Sequence, residues 1–179
     1  MEPAAAGGAE RQDAWQFDEE DAVEQFRVDA EMRSALGLGS YGSVYRATLH
    51  GVAVAAKTLH MLQDPLTYLL VGPDSHNPKS QKAKNKVLQD FKGEAAALAA
   101  VRHANVVRFI GVAYHRVEGH RLPHWIVTEA LPYSLDQFCS LPAAAAAIGV
   151  AEVTYFVTDM ADALKYLHAE LGMVHRDLK

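Results

Sequence analysis

The chain has 179 residues, half of them hydrophobic and 22% charged, with 22 acidic against 17 basic side chains and a net charge of −5. This is ordinary globular composition on a length that buries ~70% of its unfolded surface, and the acidic balance argues against nucleic acid as a general partner. A single cysteine, Cys139, leaves no internal disulfide framework and points to an intracellular protein.

No basic and apolar leader opens the sequence. The longest uncharged stretch, Gln137 to Ala151, is 15 residues with a proline inside it, short of the ~20 that a membrane span needs. The expectation is a soluble, cytoplasmic chain with no membrane partner. Residues 1–30 read as an N-terminal extension, partly disordered, with an acidic middle (Asp18 to Asp21) and room for a short helix. Trp15, Phe17 and Phe26 are available to anchor it, but a loosely packed tail is the expected state.

From Met32 to Leu59 the pattern is strand, glycine-rich turn, strand, tight turn, strand, with His50-Gly51 as the second turn signal. The last strand, Val52 to Ala56, is an apolar run that ends on Lys57. Residues 61–86 hold the breakers Asp64-Pro65, Gly72-Pro73 and Asn77-Pro78, then Lys79, Lys82, Lys84 and Lys86, and read as an exposed inserted loop. Val87 to Val101 is a helix pattern, with Leu88, Phe91, Ala95 and Leu98 at three-and-four spacing. Val106 to Tyr114 and Trp125 to Thr128 read as strands joined by the polar connection His115 to His124. After Pro132 the strands stop, and Val153, Phe156, Val157, Met160, Ala161, Leu164 and Leu167 mark a helix ending near Gly172. Cys139 reads as a buried or half-buried apolar side chain, and His115, His120 and His124 as surface histidines, their spacing being too loose for a metal site.

Three features carry chemistry. Leu36-Gly37-Leu38-Gly39-Ser40-Tyr41-Gly42-Ser43-Val44 contains G-x-G-x-x-G, a spacing also used by dinucleotide-binding folds. There the glycines run from a strand into a helix; here a β-rich run follows Gly42, so the loop joins two antiparallel strands and its amides can lie over phosphates. Lys57 ends an apolar strand, where an unpaired ammonium is costly, and Glu94 sits beside a helix's apolar stripe, where a carboxylate needs a cation. Each accounts for the other if they pair. The sequence closes on His175-Arg176-Asp177-Leu178-Lys179, in which a carboxylate on a loop beside basic residues is suited to accept a proton from a hydroxyl.

The order of glycine loop, Val-Ala-Ala-Lys ending at Lys57, Glu94, Arg102-His103-Ala104-Asn105-Val106-Val107 and His-Arg-Asp-Leu-Lys resembles the protein kinase superfamily over about four fifths of the chain. The resemblance implies an α+β fold. A kinase N-lobe would span residues 31–131, with a five-stranded antiparallel sheet, one long helix and the 61–86 insert; residues 132–179 would start an incomplete helical C-lobe up to the catalytic loop. It implies that Gly37, Gly39, Ser40, Tyr41 and Gly42 cover the ATP phosphates, with Tyr41 at the tip, and that Lys57, oriented by Glu94, holds them. Leu36, Val44 and Ala55 would sandwich the adenine, Thr128 would act as gatekeeper, and Glu129 to Leu131 would offer backbone hydrogen bonds. Asp177 would be the catalytic base, Lys179 would meet the γ-phosphate, His175 would pack and orient the loop, and Leu98 would join the apolar column behind the site.

Lys179 and the Arg-His-Ala-Asn-Val-Val run are similar to the tyrosine-kinase-like group of serine/threonine kinases, so the implied partners are ATP, Mg²⁺ and a protein serine or threonine hydroxyl. The family's metal-binding Asn and Asp-Phe-Gly do not occur within these residues, so this stretch alone is expected to be inactive. The alternative reading is a non-catalytic kinase-like binding module. Gly93 inside the helix costs about 1 kcal/mol relative to Ala, and Ala56 is smaller than the family's usual Ile or Val.

Overall fold

A computed structural model describes residues 16–18, 26–28, 35–38, 42–59, 78–117, 120–176 and 178. The chain divides into two compact units, the first made of Met1–Ala99 with Phe109–Glu129, the second of Ala100–Arg108 with Ala130–Lys179.

The first unit is a sheet with one helix. Its strands are β1 (Gln16–Asp18), β2 (Phe26–Val28), β3 (Ala35–Leu38), β4 (Gly42–Leu49), β5 (Val52–Leu59), β6 (Phe109–Val117) and β7 (His120–Glu129). The order across the sheet is β1-β6-β7-β5-β4-β2, with β3 also on β4. All pairings are antiparallel except β1 with β6. The expected antiparallel sheet is thus present, and two short strands from the N-terminal region make it seven-stranded. Residues 16–18 and 26–28 are thus strand where a loosely packed tail was expected, and the rest of residues 1–30 lies outside the described residues.

β4 and β5 pair without interruption from Gly42↔Leu59 to Leu49↔Val52, which leaves His50 and Gly51 as a two-residue turn. Both have positive φ, 50° and 76°, as the primed turn that matches strand twist requires. At the far end of that ladder, a Cβ placed on Gly42 would lie 2.2 Å from the Thr58 carbonyl oxygen. Gly42 therefore serves strand closure as well as any phosphate. Gly42→Ala is expected to destabilise the unit by about 1–3 kcal/mol through overpacking, read as a lower midpoint in urea unfolding; an unchanged midpoint would refute the close approach.

The run Val54-Ala55-Ala56 is buried throughout because both faces of the sheet are covered. On one face Phe26 and Trp125 pack with Ala47, Val54, Ala56, Ala113 and Val127. Tyr45 meets the Trp125 ring edge-on at 5.7 Å. Large rings lie against three alanines, which gives the small residue at Ala56 its reason. Phe26 is only 5% exposed, so the residue placed in a loose tail is part of the core.

The other face carries helix α1 (Pro78–Ala100). Phe91 and Ala95 are buried with Phe109, Val112 and Ile126, and Leu88 and Leu98 pack around them, which is the stripe expected from their spacing. The helix begins about two turns earlier than the pattern indicated, so Lys79 to Lys86 are helical rather than loop; the rest of the 61–86 insert lies outside the described residues. The β6–β7 ladder extends to Val117↔His120, so most of the supposed connection His115 to His124 is strand.

The second unit holds α2 (Leu135–Cys139), α3 (Pro142–Ala147) and α4 (Val150–Ala169). Ser134 caps α2 reciprocally: its Oγ accepts from Gln137 N–H at 3.1 Å and its own N–H donates to Gln137 Oε1 at 3.0 Å. Cys139, expected to be buried, is exposed, because α2 has no buried residue. At the start of α4, Gly149 N–H donates to Glu152 Oε2 at 2.8 Å. The backbone N–H groups of Glu152 and Gly149 hold that carboxyl below the usual carboxylate range. At the other end Gly172, at φ 62°, turns the chain so that Met173 N–H reaches the Leu167 carbonyl at 2.8 Å. Among the described residues no helix is long and apolar enough to cross a membrane.

Candidate functional site

Directly opposed residues in an antiparallel ladder share a face. Val44 opposes Lys57, Arg46 opposes Ala55, Thr128 opposes Ala55 and Ile126 opposes Lys57. The register therefore gathers Val44, Ala55, Lys57 and Thr128 on one face, the same one on which Ile126 meets α1. Ala55 is 8% exposed; Val44 and Thr128 are half-buried. Gly37 opposes Val44 across β3–β4, and the register shifts between Ala35 and Gly37, leaving Leu36 at the irregularity and exposed.

Lys57 reaches from this face to α1. Its Nζ lies 2.5 Å from Glu94 Oε1, and the two side chains are 33% and 34% exposed. Cation and anion meet, as their mutual compensation required. Because a third of each stays in water, the pair contributes at most about 1 kcal/mol to stability. Its geometry instead leaves an ammonium held in place with spare donors. α1 runs through Gly93 unbroken, and no heavy atom lies within 4 Å of where its Cβ would be.

Other expected site residues fall elsewhere. Glu129 is half-buried at the end of β7; Leu131 belongs to the second unit and is 55% exposed. Gly39, Ser40, Tyr41, Asp177 and Lys179 lie outside the described residues. His175 is exposed. Arg176 has φ 65°, a left-handed conformation costing a non-glycine residue of order 1–3 kcal/mol and found disproportionately at functional sites. Sequence carries no signal for that.

In the sequence Arg102 to Asn105 count only as part of a family motif; the second unit gives them a structural role. Arg102 N–H donates to Tyr166 Oη at 3.1 Å, and Asn105 Nδ2 donates to the Asp159 carbonyl at 3.2 Å. His103 lies over the Tyr166 ring at 5.0 Å, and its Nε2 is 3.2 Å from Asp162 Oδ2. His103 Nδ1 accepts from Asn105 N–H at 3.1 Å, so the ring proton sits on Nε2 and faces Asp162. The segment is thereby fastened along α4. Only the pairing of donors in 102–105 with acceptors 54–64 residues away reveals this, which no local pattern encodes.

Residues 76–179 match the protein tyrosine and serine/threonine kinase family. The chain belongs to the protein kinase family. Among relatives, the kinase chain is 30% identical to the tyrosine-protein kinase Abl of Drosophila melanogaster over 164 residues, covering 89% of this chain and 8% of that protein. It is 33% identical to the probable serine/threonine-protein kinase roco7 of Dictyostelium discoideum over 146 residues, 80% of this chain and 5% of that protein. It is 26% identical to the cysteine-rich receptor-like protein kinase 7 of Arabidopsis thaliana, over 88% of this chain and 21% of that protein. The kinase chain thus spans about a fifth or less of the length of these relatives.

Proposed function

We propose that this chain is the ATP-binding portion of a serine/threonine protein kinase, which transfers the γ-phosphate of ATP to protein hydroxyls. The observation that carries the reading is the Lys57–Glu94 contact beside Val44, Ala55 and Thr128 on one face of the sheet. In that arrangement the apolar side chains would enclose the adenine, Glu94 would aim the Lys57 ammonium at the α- and β-phosphates, and Gly37 to Gly42 would cover them. Leu36 would close the adenine slot, and Glu129 to Leu131 would hydrogen-bond its edge through the backbone. Asp177 would take the proton of the substrate hydroxyl, with Lys179 meeting the γ-phosphate.

Lys179 supports serine or threonine rather than tyrosine as acceptor, and the single cysteine supports an intracellular setting. Members of the family use Mg²⁺ to neutralise charge between the phosphates. The chemistry proposed for Lys57, Glu94 and the glycine loop is positioning of the triphosphate. Residues 1–179 contain no Asp-Phe-Gly; nucleotide binding is therefore the activity expected of this stretch by itself, and transfer is expected of a protein that also supplies the metal ligands.

The test is phosphate incorporation into serine, threonine and tyrosine peptides by the full-length protein and its Asp177→Asn variant. A general base contributes ~10²–10⁴-fold, so the variant should be slower by that factor with nucleotide affinity retained. Equal rates would remove Asp177 from its role, and incorporation into tyrosine alone would refute the acceptor.

A further inference from the structure

Helix α1 contains a glycine that neither its backbone nor its packing requires. Gly93 lies mid-helix and exposed, its φ is not positive, and among the described residues no heavy atom stands within 4 Å of the place its Cβ would take. Alanine would fit there and would favour the helical state by roughly fivefold. The glycine therefore weakens the helix at a point where nothing in the packing calls for it.

Its position gives that weakness an effect. Gly93 directly precedes Glu94, whose carboxylate meets the Lys57 ammonium. The helix is anchored unequally on the two sides of Gly93. Before it, Phe91 is 1% exposed, with Val87 and Leu88 packed beside it on the sheet. After it come Glu94, five alanines and Leu98, of which Ala95 alone is fully buried. Alanine removes little apolar area from water, so about two turns of helix rest mainly on their backbone hydrogen bonds. The ion pair adds little, because a third of each partner stays in water. Segments with few buried apolar contacts are the ones that open locally while the rest of a fold stays closed.

We propose that Gly93 is a positioning residue: it keeps the Glu94 turn of α1 in exchange between closed and open states, so that the nucleotide itself completes the Lys57–Glu94 pair. This rests on the nucleotide reading of the Lys57 face. Only the closed turn brings Glu94 to Lys57 and aims the ammonium at the phosphates, so the closed state binds nucleotide more tightly. By linkage, bound nucleotide closes the turn by the same factor by which closing tightens binding. An alanine at 93 would close the turn in advance; the glycine leaves that step to the ligand.

The test uses the full-length protein as wild type, Gly93→Ala, Glu94→Gln and the double variant. Hydrogen exchange is read with and without a non-hydrolysable ATP analogue, beside titration with a fluorescent one. In the wild type, peptides covering residues 94–100 should be less protected than those covering 86–92 and should gain protection when the analogue is added. Gly93→Ala should slow exchange of 94–100 without nucleotide by up to about fivefold and tighten nucleotide binding by about two- to fivefold. That tightening should vanish in the Glu94→Gln background, whereas a helix that is merely stiffer would tighten both backgrounds alike. Unchanged affinity in Gly93→Ala, tightening that survives Glu94→Gln, or nucleotide that binds without protecting 94–100 would each overturn the proposal. So would a Gly93→Ala protein that unfolds at lower urea than the wild type, which would mean that the glycine admits a close contact from elsewhere in the protein. All four outcomes leave the ATP reading standing; a wild type that binds no nucleotide overturns that reading and the proposal with it.

Discussion

Lys57→Met is expected to weaken ATP binding by about tenfold to a hundredfold while leaving the unfolding midpoint nearly unchanged. Two separate magnitudes produce this split. A hydrogen bond from a charged donor to a charged acceptor is worth about 1.5–3 kcal/mol, and the Lys57 ammonium would lose such a bond to a phosphate. The ion pair with Glu94 contributes little to folding, because both partners are a third exposed and the solvent screens them. Glu94→Gln should give a weaker version of the same split, since the ammonium remains but loses its orienting carboxylate. Titration with a fluorescent ATP analogue, beside urea unfolding of the same samples, checks both quantities. A large loss of stability with unchanged affinity would show that the pair is structural and that the nucleotide lies elsewhere.

Phe26→Ala is expected to cost about 3–5 kcal/mol, the usual range for removing a buried phenyl ring. The ring is 5% exposed and packs with Ala47, Ala56, Ala113 and Trp125, and alanines cannot move in to fill the space it leaves. Nucleotide affinity should change far less, because Phe26 packs on the face opposite Lys57. Urea unfolding with an unchanged slope and a lower midpoint is the expected record. A loss below about 1 kcal/mol would mean that the face is held without the N-terminal segment.

These two predictions mark where the sequence was legible. Lys57 and Glu94 were readable because each violates the apolar pattern around it, and a charge in the wrong place demands a partner. The stripe Leu88, Phe91, Ala95 and Leu98 was readable because helical periodicity places those residues on one side. His50-Gly51 was readable because a two-residue hairpin turn needs positive φ at both positions. Phe26 was not, since β2 is three residues long and its pairing with Ala47, Thr48 and Leu49 lies in no local pattern. The first two turns of α1 were hidden by Pro78 and the lysine run, which resemble a loop although proline is compatible with a helix's first turn. Cys139 was misread because general burial tendency says nothing about a helix of five residues that has no inward side. The fastening of Arg102 to Asn105 on α4 depends on contacts distant in sequence, and only coordinates supply those.

The two strands from the N-terminal region have a consequence for anyone trimming the gene. β1 lies on the outer side of β6 and β2 on the outer side of β4, at opposite margins of the sheet. A polypeptide started at the glycine loop would bare the β6 margin, whose free amides and carbonyls recruit strands from neighbouring molecules. Poor yield or fibrous precipitate from so short a piece would then report lost edge protection, and restoring about twenty preceding codons would be the remedy.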